Sequence, residues 1–208
     1  MIESVKFNHK AFISNGNTNL LKGVTMAYFT SRDITAIALF AALWSVLSAY
    51  VAPIFWNATH MPFLCDILGV TSLILVLWYV RKFGAVTFTG VIATIIILAL
   101  RPNAAYFLGF TTASVILDVL TRLIGYKNCL EKPVLCIASL LSVSTISMAV
   151  AGAIIGTVFT NPNFLTKMFG GVAFFTVLHA IGGIIGSTLG IMLMKALSTR
   201  ISVFTVGT

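Results

Sequence analysis

Ile34-Thr-Ala-Ile-Ala-Leu-Phe-Ala-Ala-Leu-Trp-Ser-Val-Leu-Ser-Ala-Tyr-Val-Ala-Pro-Ile54 runs for 21 residues without a charged side chain. The hydrocarbon core of a bilayer takes about 20 consecutive apolar residues as a helix, so this run predicts a membrane-spanning helix. Thr30-Ser-Arg-Asp33 stands just before it, where Asp33 or Ser31 is placed to cap the first free backbone N–H groups. Ala38 and Ala42 lie four apart, as do Ala41, Ser45 and Ala49, which makes two adjoining strips of small side chains. Lipid offers little hydrophobic drive between helices, so such strips matter because they let backbones approach closely. One strip suits packing within the same bundle and the other a partner's helix. The abundance of alanine in membrane helices gives the same pattern with no partner at all.

The rest of the chain has the same character. Of 208 residues, 59% are hydrophobic and only 9% charged, and the mean hydropathy is +1.04. A soluble domain of this length has no means of hiding so much apolar surface. The expected class is an all-α integral membrane protein. Six apolar stretches run roughly over 34–54, 62–80, 84–100, 104–125, 133–158 and 167–196. They are separated by Pro53 to Pro62, Arg81-Lys-Phe-Gly84, Arg101-Pro-Asn103, Tyr126 to Pro133 and Asn161-Pro-Asn163. The third stretch is short for a full span and the sixth long, so tilt or an interfacial turn is expected in both.

A net charge of +8 would point to nucleic acid in a soluble protein, but here its distribution decides the reading. Lys6, Lys10, Lys22, Arg32, Arg81, Lys82, Arg122, Lys127, Lys132, Lys195 and Arg200 fall on one side of the six predicted spans. Only Arg101 and Lys167 fall on the other, and the two sets account for all 13 Lys and Arg. The positive-inside rule then places both termini in the cytoplasm, with no nucleic-acid partner. The expected organisation is a cytoplasmic N-terminal extension (1–30), a six-helix membrane domain (31–200) and a cytoplasmic tail (201–208). Residues 1–33 lack the compact apolar core and cleavage site of a signal peptide, and Met26 is a candidate start. Cys65, Cys129 and Cys136 form no CxxC pair, so neither a disulfide nor a thiolate metal site is indicated. Gly182, Gly186 and Gly190 at four-residue spacing, with Gly152 and Gly156 in the preceding stretch, predict close-packed helix faces.

The predicted outer side is rich in groups that recognise ligands. Its loops and helix ends hold Trp56, Asn57, Thr59, His60, Asp66, Arg101, Asn103, Tyr106, Phe107, Phe159, Asn161, Asn163 and Phe164. Aromatic rings beside amides and charges suit a small heteroaromatic ligand, although Trp and Tyr also gather at membrane interfaces without one. Asp66 is placed about one turn inside the outer surface, and an intramembrane carboxylate is a functional candidate by default. It is suited to face a cationic ligand, or to pair with His60 or Arg101. His179, nearer mid-membrane, serves either as a pocket-floor hydrogen bonder or as a satisfied core histidine. Asp118 and Arg122, four apart, have the spacing of an intrahelical ion pair.

HExxH, GxSxG and GxxxxGK[ST] are all missing, so neither protease, lipase nor nucleotide-hydrolysing chemistry is indicated, and no enzyme is expected. Three scattered histidines do not suggest a metal site. A self-sufficient secondary transporter or channel would often show an internal repeat, and the halves 34–100 and 104–196 share none. A membrane scaffold or assembly protein without ligand needs only the glycine-rich faces.

Phe29-Thr-Ser-Arg-Asp-Ile-Thr-Ala-Ile-Ala-Leu-Phe-Ala-Ala-Leu43 resembles the opening of the substrate-binding S components of energy-coupling factor vitamin transporters. Its Ala38-xxx-Ala42 spacing is similar to that family's AxxxA contact with a transmembrane coupling subunit. Tyr79-Val-Arg-Lys-Phe-Gly-Ala85 and the later Arg101-Pro-Asn103 look most like the thiamine and hydroxymethylpyrimidine branch, which tends to carry a glutamate where this chain has Asp66. The resemblance implies a compact bundle in a prokaryotic cytoplasmic membrane, with an outward-facing pocket for a small water-soluble vitamin. It implies ligand binding by Trp56, Asn57, Asp66, Asn103, Tyr106 and His179, with His60, Arg101 and Asn161 as further candidates. It also implies docking through Ala38, Ala42, Ala41 and Ser45 onto a coupling subunit with paired ATP-binding subunits. ATP would be used by those partners, and this chain would bind no cofactor.

Overall fold

The computed structural model describes the backbone of residues 28–206 and the side chains of 28–199. Most of the expected N-terminal extension and the last tail residues, with Lys6, Lys10, Lys22 and Met26, therefore lie outside the described residues. The chain is all-α, with no strand among the described residues. The helices are α1 (Ser31–Thr59), α2 (Phe63–Val80), α3 (Ala85–Leu100), α4 (Phe107–Ile124), α5 (Tyr126–Leu130), α6 (Pro133–Ile154), α7 (Pro162–Phe169) and α8 (Val172–Val206). A π-helical turn, Ile155–Phe159, extends α6. Five helices are long and apolar enough to cross a membrane: α1, α2, α4, α6 with its π turn, and α8. The sixth, α3, has 16 residues, which at 1.5 Å each is about 24 Å, short of a bilayer core of about 30 Å. Many large apolar side chains face outward, among them Leu39, Leu43, Val46 and Tyr50 on α1 and Met192 and Leu193 on α8. That surface is at rest against lipid rather than water, and the chain is a multi-pass membrane protein.

Two boundaries differ from the sequence expectation. The first helix does not stop at Pro53 but carries it internally and runs on to Thr59. Proline removes one N–H and so frees the Ala49 carbonyl, a loss that membrane helices tolerate. The long sixth stretch is divided: α7 ends at Gly170 (φ 71°), and Gly171 (φ 121°) completes a turn that L side chains avoid before α8 begins.

The six long helices close on themselves in the order α1, α3, α4, α6, α8, α2, with α2 also touching α3. Small residues set these approaches. Ala41 and Ser45 are fully buried, and Ser45 Oγ lies 3.1 Å from the Ala93 carbonyl of α3. The Trp44 indole sits over Gly69 of α2, where a Cβ would meet the ring at 2.8 Å, and against Phe107 and Phe110 of α4. Gly186 brings α8 onto the backbone of α2 at Ile67. The other small strip of α1 faces out: Ala38 is exposed and Ala42 half-buried.

One end of the bundle holds most of the basic residues among those described, with their counter-charges. Thr30, rather than Ser31 or Asp33 alone, is the N-cap of α1. Its hydroxyl accepts from the Asp33 N–H while Asp33 accepts from the Thr30 N–H, a reciprocal capping box. Lys82 lies 2.7 Å from Asp33, and Arg81 lies 3.2 Å from Glu131. Asp118 does not pair with Arg122. Its Oδ2 accepts from the Gly84 N–H (2.9 Å), the Thr87 N–H (3.0 Å) and the Thr87 hydroxyl (2.9 Å). The first N–H groups of α3, which follows a glycine cap with no side chain, thus receive a carboxylate from the neighbouring helix. Four residues on, Arg122 is exposed.

Candidate binding cavity

The opposite end of the bundle contains a cavity of about 450 Å³. It forms where the C-terminal turns of α1, the start of α2, the α3–α4 turn, the π turn of α6, α7 and the first turns of α8 converge. Its aromatic walls are Trp56, Tyr106, Phe110, Phe164 and Phe175. Polar groups are few: Asn57, Arg101, Thr160 and His179. Pro53, Pro62 and Cys65 fill part of the remaining surface. A mostly apolar cavity with a handful of polar groups is the usual composition of a small-molecule site, and its volume is within the usual range of about 300–1,000 Å³.

His179 forms the buried floor, at 2% exposure. Its ring is held edge-on by Phe175 (4.6 Å between centroids) and Phe110 (5.9 Å). Nδ1 lies 2.7 Å from Oδ1 of Asp66, which is fully buried on α2. Two glycines make this meeting possible. A Cβ at Gly182 would run into the Asp66 carboxylate (2.5 Å), and one at Gly152 into the His179 ring (2.9 Å). With Nδ1 committed, Nε2 remains on a residue that lines the cavity, buried and with no protein partner. Such an atom is costly unless something fills its hydrogen bond. Asp66 therefore pairs with neither His60 nor Arg101, and it stands behind His179 rather than in the cavity wall.

Of the sequence candidates, Trp56, Asn57, Arg101, Tyr106, Phe164 and His179 come together in the wall. His60, Asn103, Asn161 and Asp66 do not. His60 is the exposed left-handed C-cap of α1 (φ 56°), its ring 6.2 Å from Trp56. Asn103 is exposed in the α3–α4 turn. Asn161 caps α7, its side chain accepting from the Asn163 N–H at 2.9 Å. Burial raises the Tyr106 phenol above its usual range, which keeps it a neutral O–H donor. Sequence reasoning passed over Phe110 and Phe175 as wall residues. The available signal was helical spacing: Phe110 follows Tyr106 by four residues, and Phe175 precedes His179 by four.

Among the described residues no group of three His, Cys, Asp or Glu is placed to hold a metal ion, and the three cysteines are free. The arrangement offers stacking surfaces, one guanidinium, one amide and one imidazole nitrogen without a protein partner. No protein-family model matches the chain, and neither the curated proteins nor the solved structures contain a significant match to it.

Proposed function

We propose that this protein is the substrate-capture subunit of an ATP-driven vitamin importer of the energy-coupling factor type. In this reading six helices span a prokaryotic cytoplasmic membrane with both termini inside, α3 being the short span. The cavity then opens outward and takes a small water-soluble vitamin or precursor, thiamine or hydroxymethylpyrimidine in the first instance. The observation that carries the reading is the aromatic cavity with an unfilled imidazole nitrogen at its floor, at the end of the bundle away from most of the basic residues. The Ala38–Ala42 strip, turned out of the bundle, is the proposed docking face for a coupling subunit bearing two ATPases. ATP hydrolysis there would reorient the bundle and release the ligand inside.

The test is to purify the protein from cells grown in rich medium, denature it and identify released small molecules by mass spectrometry. A stoichiometric vitamin is the expected result. An empty protein that binds no vitamin on titration would move the reading to a membrane scaffold. Uptake driven by a proton gradient without ATP would move it to a secondary transporter.

A further inference from the structure

The cavity wall carries an unbalanced charge, and the scarcity of acids in this chain makes the imbalance easy to trace. The whole sequence has five Asp and Glu. Glu3 lies outside the described residues. Asp33 and Glu131 are paired with Lys82 and Arg81 at the far end of the bundle, and Asp118 caps α3. Only Asp66 is near the cavity, and it is sealed behind His179. Arg101, by contrast, is part of the wall, and no described carboxylate lies within ion-pair distance of it.

Resting on the capture reading above, we infer that the ligand is a planar ring that is neutral or carries an anionic group set against Arg101, and that a ring with a fixed positive charge is rejected. The Asp66–His179 pair does not restore a negative wall. Asp66 is fully buried, lies outside the cavity wall and commits Oδ1 to His179, so its carboxyl does not face a ligand in the cavity. The aromatic rings attract cations through their faces. Arg101, however, stands half-buried in the same wall with its charge uncompensated by any described carboxylate, and repulsion between like charges opposes that attraction. His179 adds direction: with Nδ1 held by Asp66, Nε2 is the nitrogen left to meet a polar edge of the ring. Of the two vitamins named above, uncharged hydroxymethylpyrimidine fits this wall and thiazolium-bearing thiamine does not.

The test is equilibrium binding to the purified full chain with three probes: hydroxymethylpyrimidine (neutral), nicotinate (a ring carboxylate) and thiamine (a cation). Tighter binding of a neutral or anionic probe than of thiamine, by about tenfold or more, is expected. Arg101→Gln should weaken nicotinate and narrow the gap to thiamine, while Arg101→Lys, which retains the charge, should keep the order of the probes. Thiamine binding as tightly as the others, or a gap between nicotinate and thiamine that is unaltered in Arg101→Gln, overturns the inference and leaves the capture reading standing. Binding of none of the three by a protein that also releases no vitamin on denaturation overturns the capture reading, and this inference with it.

Discussion

The Asp66–His179 contact joins α2 to α8 across 113 residues of sequence, and its energetics are open to a double-mutant cycle. Asp66→Leu strands Nδ1 of a buried imidazole. His179→Phe keeps a ring against Phe110 and Phe175 but strands both oxygens of a fully buried carboxylate. Stranding one partner of a buried hydrogen-bonded pair costs about 1–3 kcal/mol, more where the group is charged, whereas replacing both partners with apolar groups of similar shape is often neutral or stabilising. Interhelical hydrogen bonds in membrane proteins couple more weakly, about 0.6 kcal/mol on average and up to about 1.7 kcal/mol. The pair here is buried inside the bundle, and its short contact depends on two glycines, so a coupling at or above that upper figure is expected. The assay is reversible unfolding in mixed micelles, titrated with a denaturing detergent, for the parent, both single variants and the double. Each single variant should lose about 1–3 kcal/mol, and the double should be no less stable than the worse single. A double variant whose loss equals the sum of the singles to within about 0.5 kcal/mol would refute the argument that the two groups satisfy one another.

Three further outcomes follow from the packing. Gly182→Ala places a methyl against the Asp66 carboxylate and should destabilise the bundle by about 1–3 kcal/mol, read by the same unfolding titration, whereas Gly125→Ala meets nothing within 4 Å and should show only the cost of its positive φ. Asp118→Ala leaves the start of α3 without its acceptor and should cost about 1–2 kcal/mol; Arg122→Ala, four residues away and exposed, should change stability by no more than about 0.5 kcal/mol, and a loss as large as that of Asp118→Ala would restore the intrahelical pair. On the proposed reading, Ala38→Trp and Ala42→Trp should bind ligand normally yet fail in ATP-driven uptake by a reconstituted complex, while Ala41→Trp, at a fully buried position, should fail to fold; intact uptake by the first two would exclude that face as the docking surface.

Membrane residence, the positions of most helices and the segregation of basic residues were legible in the sequence because each is a sum over neighbouring residues. Hydropathy over about 20 positions needs no knowledge of what packs where. The two alanine strips of α1 were legible as strips, but which one faced the bundle was not. Ala41 and Ser45 turn in and Ala38 turns out because Trp44, between them, is seated over Gly69 of α2.

The partners of the buried charges were beyond the sequence. Asp118 had an arginine at ideal local spacing and was taken instead by the backbone of α3, since orphan N–H groups in an apolar setting leave a larger penalty than an exposed ion pair removes. Asp66 had His60 and Arg101 as nearer candidates and was met by His179, because glycines at 152 and 182 let α8 come close enough. One residue of register turns a helical side chain by about 100°. Which groups reach a cavity therefore depends on the rotation of every helix around it, and the packing of all six settled that rotation together.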